Sequence, residues 1–467
     1  MTPGSEQRTV DSPALEGLRR YFRGDLISPA NAAYDEHRRV WNGSIDRRPA
    51  LIARCAGVAD VRAAVRFARE EALLVAVRSG GHSLPGHSVC DGGLVIDLGL
   101  MKGVRVDPEA RTVRAQAGLL LGELDQETHA FRLGVPAGIV THTGMAGLTL
   151  GGGIGWRMRK YGLTIDHLLS VDVITPDGEF VKASESENAD LFWGVRGGGG
   201  NFGIVTDFEF RLTFMPPDVV GGFVVWQMED APEVLRFYRD WVAESPDELT
   251  TLIFQRRLRA GPSVPGDLVG RRVVAVAVCY SGDIEEGERI LQPLKDFGSP
   301  VLDLCRPMPF LVQQTLFDPS YPHGWWYYFR ACDVAALSDD VLDIVVEYGQ
   351  RIASPVTTTA IWQMGGAVAR VDDDATAFSG RAAGFTFNLS GNSETADGFD
   401  AERQWTRDYW NALAPYHTSV YVNFLMEEGE ERVRQAYGPK KYDQLKALKR
   451  KYDPTNFFRL NQNVRPD

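Results

Sequence analysis

The chain has 467 residues, of which 44% are hydrophobic and 24% charged, and its formal net charge is −12. This length allows two to three domains with large cores, and the composition is that of an ordinary globular protein. Because the balance is acidic and no run is rich in Lys and Arg, we expect no nucleic-acid partner.

Apolar stretches and cysteines indicate the compartment. Residues 1–25 contain no apolar segment of the signal-peptide type, and no stretch reaches the roughly 18 apolar residues of a membrane-spanning helix. The five cysteines show no CxxC spacing, which favours free, buried thiols over a disulfide framework or a zinc site. They are Cys55, Cys90, Cys279, Cys305 and Cys332. We therefore expect a cytoplasmic enzyme with no membrane contact and no bound metal.

Short helices and strands alternate in the N-terminal part. Apolar residues recur at three-to-four spacing over residues 58–72, which predicts a helix. Compact apolar runs at 73–81 and 93–101 predict buried strands. Residues 104–118 predict two strands around an Asp-Pro turn. Residues 119–134 predict a helix that ends at a glycine cap, Gly134.

Further along, residues 170–184 predict a hairpin with a Pro-Asp-Gly turn. The Pro-Pro pair at 216–217 marks a change of character, after which strands mix with longer helices, including 231–243 and 337–353. From about residue 417 the chain holds two charged helical stretches and the segment YDPTNFFRLNQNV.

Two segments are rich in glycine, at residues 144–155 and 196–205. Such density brings main-chain N–H groups close to an anion such as a diphosphate, although close packing of strands or helices explains it equally well. The GxGxxG match at Gly198, Gly200 and Gly203 follows a predicted helix and precedes a predicted strand. A Rossmann site needs the reverse order, so this match is excluded as one.

The stretch AVRSGGHSLPGHSV, residues 76–89, places two glycines and His82 after a predicted strand. Glycines accept positive φ and let another group approach the main chain closely. They do not explain the histidine at the tip of the turn. An ordinary loop histidine and a functional one both fit this segment taken alone.

Several segments together resemble one family, in order and with its spacing. They are 41–57 (WNGSIDRRPALIARCAG), 77–83 (VRSGGHS), 90–98 (CDGGLVIDL), 137–168, 190–210 (DLFWGVRGGGGNFGIVTDFEF), 421–424 (YVNF) and 452–463 (YDPTNFFRLNQN). The chain resembles the berberine-bridge-enzyme-like branch of the vanillyl-alcohol-oxidase flavoproteins over nearly its whole length.

The resemblance implies an α+β fold with a two-part PCMH-type FAD-binding domain. The expected division is residues 1–214 for the first part, 215–416 for a substrate domain with an antiparallel sheet backed by helices, and 417–467 for the second part. It also implies that His82 is bonded to the flavin 8α-methyl carbon. Many relatives have a second bond from a cysteine to the flavin 6-position, but the matching residue here is Val140, so one link is expected.

The same resemblance supplies the other cofactor residues. Main-chain N–H groups in the turn are expected to line the diphosphate, with further contacts from both glycine-rich segments and the C-terminal part. The implied FAD-binding residues are Arg78, Ser79, Gly80, Gly81, His82, Ser83, Val140, Thr141, Thr143, Gly144, Gly147, Gly151, Gly152, Gly153, Ile204, Val205, Tyr421, Asn423, Asn461 and Asn463.

The family passes a hydride from a small organic substrate to flavin N5, and oxygen usually reoxidises the flavin. Many members have a second tyrosine as catalytic base where this chain has Phe424, so another residue has to serve. The first candidates are Tyr421, Tyr328 and Asn388. The other candidates from the middle of the chain are Tyr327, His323 and Gln363.

Losing that tyrosine leaves several activities open. An oxidase of secondary metabolism is the first expectation, and an oxygenase-type tailoring enzyme is the main alternative. A carbohydrate oxidase and a non-catalytic flavin-binding protein follow in that order. The sequence names neither the substrate nor the oligomeric state.

Overall fold

The N-terminal elements form a small sheet in the order β1-β2-β4-β3. The computed structural model describes residues 12–261 and 263–467. Strands β2 and β3 both run parallel to β4, and helix α3 connects β2 to β3 and packs its apolar face inward. The elements are α1 (Pro13–Tyr21), β1 (Asp25–Ile27), α2 (Tyr34–His37), β2 (Leu51–Arg54), α3 (Val58–Glu70), β3 (Val75–Arg78) and β4 (Leu94–Asp97).

A second, antiparallel sheet follows in the order β5-β6-β10-β8-β9, and β7 pairs with β11 beside it. Its elements are β5 (Val104–Asp107), β6 (Thr112–Gln116), α4 (Leu121–His129), β7 (Leu133–Gly134), α5 (Met145–Leu150), α6 (Met158–Tyr161), β8 (Leu168–Ile174), β9 (Phe180–Ser184), α7 (Ala189–Val195), β10 (Ile204–Arg211) and β11 (Thr213–Phe214). The first glycine-rich segment contains helix α5, and the second leads from α7 into strand β10 of this sheet.

The third sheet has nine antiparallel strands in the order β15-β12-β14-β13-β18-β19-β17-β20, with β16 also paired to β12. Its elements are β12 (Asp218–Gln227), α8 (Ala231–Ala243), β13 (Leu249–Arg257), β14 (Arg272–Tyr280), α9 (Ile284–Asp296), β15 (Leu302–Asp303), β16 (Arg306–Pro309), α10 (Phe310–Gln314), β17 (Trp326–Val334), α11 (Asp339–Gln350), β18 (Thr358–Gln363), α12 (Ala367–Arg370), β19 (Phe385–Ser393), α13 (Phe399–Ala412) and β20 (His417–Ser419).

Strand alternation gives this large sheet two different faces. On one face, side chains such as Ile253, Val276 and Ile361 pack under α8, α9, α11 and α13. On the other face, Phe254 and Trp362 point toward the first two sheets and form a separate core. This second face borders the candidate site.

The C-terminal helices, α14 (Glu430–Tyr437) and α15 (Pro439–Tyr452), return to the N-terminal part. Lys449 is completely buried, and its Nζ donates to the Asp453 carboxylate and the Asn201 carbonyl, both at 2.7 Å. Asn201 also accepts from the Val464 N–H at 2.9 Å. A buried ion pair therefore ties the end of the chain to the second glycine-rich loop.

The structure confirms the α+β class and most of the predicted elements. The helix predicted at 58–72 is Val58–Glu70, the helix at 231–243 is Ala231–Ala243, and β8 and β9 form the predicted hairpin. The glycine cap was wrong, because α4 ends at His129 and Gly134 lies in β7. The excluded GxGxxG match indeed lies between helix α7 and strand β10.

All five cysteines are free and buried, as predicted. None of the helices in residues 12–261 and 263–467 combines the length and apolar content that crossing a bilayer requires. The division at residues 214 and 416 remains a proposal, and strand β20 of the large sheet extends past the second boundary.

Candidate functional site

A cavity of about 390 Å³ lies where the three sheets meet. One side consists of residues in the ranges 79–83, 143–151 and 199–205, which include helix α5 and the start of β10. We call this side the glycine wall. The opposite side consists of residues of β13, β18 and β19, which we call the sheet wall. The sheet wall contains Leu252, Phe254, Thr358, Thr359, Ala360, Trp362 and Asn388.

The glycine wall presents main-chain groups that need a partner. Among the described residues, none accepts a hydrogen bond from any of the five main-chain N–H groups of residues 79–83. Polar groups that leave water on folding normally find such a partner. Successive unpaired N–H groups in a turn form an anion-binding concavity. The arrangement therefore fits a bound phosphate group.

Glycines decide how closely the loops approach. A Cβ on Gly80 would lie 2.3 Å from the Gly144 nitrogen, so these two loops touch through their main chains. Gly147, Gly199 and Gly200 have open space where a Cβ would point, and all three line the cavity. Gly80 and Gly144 allow the two loops to pack in direct contact, and the other three glycines leave room for a ligand.

His82 lies in this wall and is held by stacking. Its ring stacks on Trp41 with centroids 4.9 Å apart, and Trp41 stacks in turn on Tyr327 at 3.8 Å. The neighbouring Asn42 donates to the Leu84 and Tyr327 carbonyls at 2.9 and 3.0 Å. The WNG segment thereby fixes the position of the histidine in the cavity.

Two further histidines surround His82. The Nε2 atom of His82 is 2.9 Å from Nδ1 of His142, and the His142 and His323 ring centroids are 4.9 Å apart. Burial, followed by the two neighbouring histidines, holds the pKa of His82 well below its usual value. The His82 imidazole is therefore neutral at neutral pH and keeps a lone pair for reaction.

The sheet wall differs in being mostly apolar. The lining residues of this cavity, all in the described part of the chain, include no Asp, Glu, Lys or Arg. Asn388 lies on the cavity face of β19, and its buried Oδ1 has no hydrogen-bond partner. Tyr321 adds a phenol, and burial raises its pKa to about 12, so it is a neutral donor at neutral pH.

The C-terminal segment closes the cavity between the two walls. The Tyr421 hydroxyl accepts from the Gly153 N–H at 3.0 Å and from Asn423 Nδ2 at 2.8 Å. Asn423 Nδ2 also donates to the Leu148 carbonyl at 3.0 Å. Both side chains line the cavity, as does Phe424. These bonds make Tyr421 a support of the glycine wall.

The cavity brings together most of the predicted FAD-binding residues. The lining includes Ser79, Gly80, Gly81, His82, Ser83, Val140, Thr143, Gly144, Gly147, Gly151, Ile204, Val205, Tyr421, Asn423 and Asn461. It leaves out Arg78, Thr141, Gly152, Gly153 and Asn463. The Arg78 guanidinium pairs with Asp97 at 2.7 Å, and Thr141 binds Asp318, so both side chains serve contacts outside the lining.

Gly152 and Gly153 face protein. A Cβ on Gly152 would meet the Phe378 ring at 2.6 Å, and one on Gly153 would meet Thr164 Oγ1 at 2.0 Å. Their positive φ values of 130° and 84° shape the turn after α5. Their role in the structure is close packing.

Among the predicted catalytic residues, Tyr328 is corrected by the structure. It lies on the helix-covered face of the large sheet, where its hydroxyl accepts from Arg330 Nε at 2.9 Å and Arg407 Nε at 3.0 Å. Strand alternation turns it away from the cavity. Gln363 is bound on that face too, to Ser245 and Thr251, and Tyr327 is fully buried against Trp41.

Sequence reasoning missed three residues of the site. His142 lies in the loop before the first glycine-rich segment, and Tyr321 precedes β17. The Trp41 ring stacks on the His82 ring. The histidine between Val140 and Gly144 was a usable signal, because titratable side chains with shifted pKa values cluster at functional sites. Tyr321 had no sequence signal, because nothing marks its loop as part of the cavity.

These features fit a flavin dinucleotide: unpaired N–H groups suit a diphosphate, and the apolar walls suit a planar ring system. The comparisons agree. Residues 49–184 match a family described as FAD binding domain, and residues 420–465 match one described as Berberine and berberine like.

Individual relatives cover almost the whole chain. A FAD-linked oxidoreductase of Dictyostelium discoideum is 34% identical over 430 residues, which are 91% of each chain. The (R)-6-hydroxynicotine oxidase of Paenarthrobacter nicotinovorans is 30% identical over 465 residues, 96% of this chain and 97% of that protein.

One solved structure supports the fold directly. The 6-hydroxy-D-nicotine oxidase of Arthrobacter nicotinovorans matches with a TM-score of 0.87 and 28% identity, covering 98% of this chain and 100% of that one. The chain is a FAD-dependent oxidoreductase and belongs to the berberine-bridge-enzyme-like family of PCMH-type flavoproteins.

Proposed function

We propose that this protein is an oxidase whose FAD is covalently bound through its 8α carbon to His82. The position of His82 carries the proposal: it lies in the cavity, is stacked on Trp41, and has a neutral imidazole. When bound, FAD supplies the two-electron acceptor. The chain's own residues hold it, exclude water and orient the substrate.

A single link to the protein is supported by the surroundings of the flavin site. Val140 lines the cavity and has no group that could bond to the flavin. Cys90 is buried beside β4, where its thiol contacts the Leu74 and Leu94 carbonyls, and burial raises its pKa to about 12. A protonated thiol outside the cavity is a poor nucleophile. The free thiols also suit a reducing, cytoplasmic compartment.

The substrate proposed for this cavity is a small, neutral and largely apolar molecule. The sheet wall offers Phe254 and Trp362 for packing, with Asn388 Oδ1 as an acceptor and Tyr321 as a donor. A carbohydrate would need many more polar partners than this wall provides. A substrate hydroxyl or amine that donates to Asn388 would hold the neighbouring C–H toward the flavin while oxygen serves as the final acceptor.

Neither Tyr321 nor Asn388 is ionised at neutral pH, so proton removal depends on the substrate's own acidity or on solvent. This favours hydride transfer from an alcohol or a neutral amine, whose O–H or N–H proton passes to water as the C=O or C=N bond forms. Secondary metabolism is a suitable setting for such a substrate.

The attachment is tested by denaturing the purified protein in acid or detergent. We expect the yellow colour to stay with the wild-type chain and to be released from His82→Ala. Colourless denatured wild-type protein, with free FAD in the supernatant, would contradict the proposal.

The reaction is tested with a panel of neutral alcohols, phenols and amines under anaerobic conditions. Flavin bleaching identifies a substrate, and peroxide release in air shows an oxidase. Incorporation of labelled oxygen into the product would show the oxygenase alternative. The panel also includes sugars. If only sugars bleach the flavin, the proposed class of small, largely apolar substrates is wrong.

A further inference from the structure

The sheet wall contains a buried hydrogen-bond donor and a buried acceptor, and both are unpaired. Trp362 and Asn388 are 3% and 5% exposed, and both line the cavity. Of the residues that the structure describes, none forms a hydrogen bond with the Nε1 atom of Trp362 or the Oδ1 atom of Asn388. Most buried polar side-chain atoms have a partner. An unpaired donor and an unpaired acceptor at one cavity therefore indicate a ligand that pairs with both.

The strand register makes these two side chains neighbours. Asn388 of β19 lies directly across from Ala360 of β18, and Trp362 is two positions further along β18. Positions two apart on a strand share a face, so Trp362 and Asn388 are diagonal neighbours on the cavity face. Such positions are about 7–8 Å apart, which a long aromatic side chain can span. One small group can therefore contact both polar atoms.

Small residues flank the Asn388 amide. The residues directly across from it on its two neighbouring strands are Ala360 of β18 and Ala331 of β17. Beyond Ala360, Phe254 of β13 continues the same face with an apolar ring. An amide flanked by alanines in an apolar wall is suited to one polar group of an otherwise apolar ligand.

The two unpaired atoms restrict the chemistry of that polar group. The indole N–H of Trp362 can only donate, and the Asn388 Oδ1 can only accept. The bound group therefore has to accept from the first and donate to the second. An alcohol hydroxyl and a neutral amine can both do this in the ground state.

Hydride transfer separates the alcohol from the amine. An amine nitrogen has one lone pair, which has to form the C=N bond, and a hydrogen bond from Trp362 opposes this. A hydroxyl oxygen keeps a lone pair for Trp362 while its C=O bond forms. The N–H group also stabilises the negative charge that develops on the oxygen as its proton leaves. The arrangement thus assists the oxidation of an alcohol and hinders that of an amine.

We propose that the substrate is an alcohol whose hydroxyl oxygen accepts from Trp362 Nε1 and whose hydroxyl proton is donated to Asn388 Oδ1. This inference rests on the proposed oxidase function and narrows its substrates from alcohols and amines to alcohols. Trp362 is then a catalytic residue, because its N–H contacts the reacting oxygen. By making the hydroxyl more acidic, it supplies part of what a base would supply.

The reaction step balances with the flavin as two-electron acceptor. The C–H bond beside the hydroxyl breaks, and its hydride passes to the flavin. The O–H bond also breaks: its proton passes to water, and the carbon–oxygen bond becomes a C=O bond. Dioxygen then takes two electrons and two protons as hydrogen peroxide. The carbonyl product still accepts from Trp362 but no longer donates to Asn388, which favours its release.

Equilibrium binding to the holoprotein tests the two contacts separately. The tertiary alcohol dimethylphenylcarbinol has a hydroxyl but no hydrogen on the adjacent carbon, so it binds without turnover. Acetophenone accepts a hydrogen bond but cannot donate one. The Kd of each is measured from the change in flavin absorbance. Because each substitution removes one hydrogen bond, we expect Trp362→Phe to weaken both ligands about tenfold and Asn388→Leu to weaken only the alcohol, also about tenfold.

Trp405→Phe is the matched control. The Nε1 atom of Trp405 is also buried without a partner, but Trp405 lies in α13, in the core on the helix-covered face and outside the cavity lining. The same atoms are removed, so both Kd values should stay within about twofold of wild type.

Anaerobic flavin reduction tests the catalytic role. The probes are α-methylbenzyl alcohol and α-methylbenzylamine, compared at alkaline pH, where the amine is largely neutral. Removing a donor to a developing oxyanion costs roughly two to three powers of ten in rate. We therefore expect Trp362→Phe to lower the limiting rate with the alcohol about a hundredfold and to leave the rate with the amine equal or higher. A purely structural role would lower both rates alike.

The other outcomes overturn distinct claims. Unchanged Kd values in Trp362→Phe, or a wild-type protein that binds no dimethylphenylcarbinol up to its solubility limit, would overturn the hydroxyl site. Wild-type flavin reduced by the amine and not by the alcohol would overturn the alcohol assignment and leave the proposed oxidase intact. Flavin that no alcohol, phenol or amine can bleach would contradict the proposed function itself. If neither probe reacts, the pattern of Kd values decides alone.

Discussion

The two walls of the cavity use different chemistry. The glycine wall presents main-chain N–H groups, and its side chains are mostly small or absent at residues 79–83 and 199–205. The sheet wall presents residues of three strands, and its polar groups are Asn388 and a few hydroxyls. One wall suits a charged cofactor with a fixed shape, and the other suits a neutral substrate.

The difference between the walls indicates where a substitution should act. A change that disturbs the glycine wall should remove the flavin before it alters specificity. A change in the sheet wall should leave the flavin in place and alter turnover.

Gly80→Ala should have the largest effect. Its Cβ would lie 2.3 Å from the Gly144 nitrogen and 2.5 Å from the Gly144 Cα, so one of the two loops has to move. We expect loss of bound flavin and a fall of about 1–3 kcal/mol in the free energy of unfolding. Denaturant unfolding and the flavin-to-protein absorbance ratio measure both quantities.

Gly266→Ala is the matched control, because nothing lies within 4 Å of its added Cβ and Gly266 lies outside the cavity lining. We expect its free energy of unfolding to stay within about 0.5 kcal/mol of wild type. Equal destabilisation by the two substitutions would show that the main-chain contact between the loops does not hold the glycine wall together.

Asn388→Leu tests the sheet wall. The substitution removes a buried Oδ1 that has no protein partner, so the free energy of unfolding should stay equal or rise. If that oxygen accepts from the substrate, kcat/KM should fall about tenfold, which is the value of one hydrogen bond. Flavin content should not change. Unaltered kcat/KM with a confirmed substrate would exclude Asn388 from substrate binding.

Asp125→Asn tests the buried contact between helices α4 and α10. Asp125 lies in α4, and its carboxyl accepts from Gln314 Nε2 of α10 at 2.7 Å. Burial raises the pKa of Asp125 to about 7. The folded state therefore binds this proton more tightly than the unfolded state, and the stabilisation is lost as the pH rises from about 4 through 7.

The introduced asparagine would remain neutral at every pH, so the substitution should stabilise the protein at pH 8 by at least about 1 kcal/mol and have little effect near pH 4. Thermal unfolding of both proteins at these two pH values is the measurement. A loss of stability at pH 8 would show that the charged carboxylate is needed at the contact between α4 and α10.

The glycine wall was largely predictable from sequence, and the sheet wall was not. The turn RSGGHS can be recognised from sequence because its main-chain shape needs glycine. Residues 79–83 could therefore be assigned to the cavity. For the sheet wall, one register decides which of two adjacent residues faces the cavity. Tyr328 was named as a catalytic candidate without knowledge of that register, and its neighbour Phe329 lines the cavity.

Long-range contacts explain the other omissions. Tyr321 is brought to the cavity by a loop that also accepts from Trp41 Nε1, 280 positions earlier in the chain. The bond of His142 to His82 spans 60 positions. Local patterns carry no information about such contacts, whereas helix α3 and the β8–β9 hairpin were predictable because local periodicity and turn residues specify them.

Flavin attachment through one histidine is the central claim, and proteolysis with mass spectrometry of the denatured holoprotein tests it most directly. We predict a single flavopeptide, which contains His82, and fragmentation that places the flavin on its imidazole. A flavin attached to any cysteine-containing peptide that lacks His82, or a digest in which all the flavin is free, would contradict it.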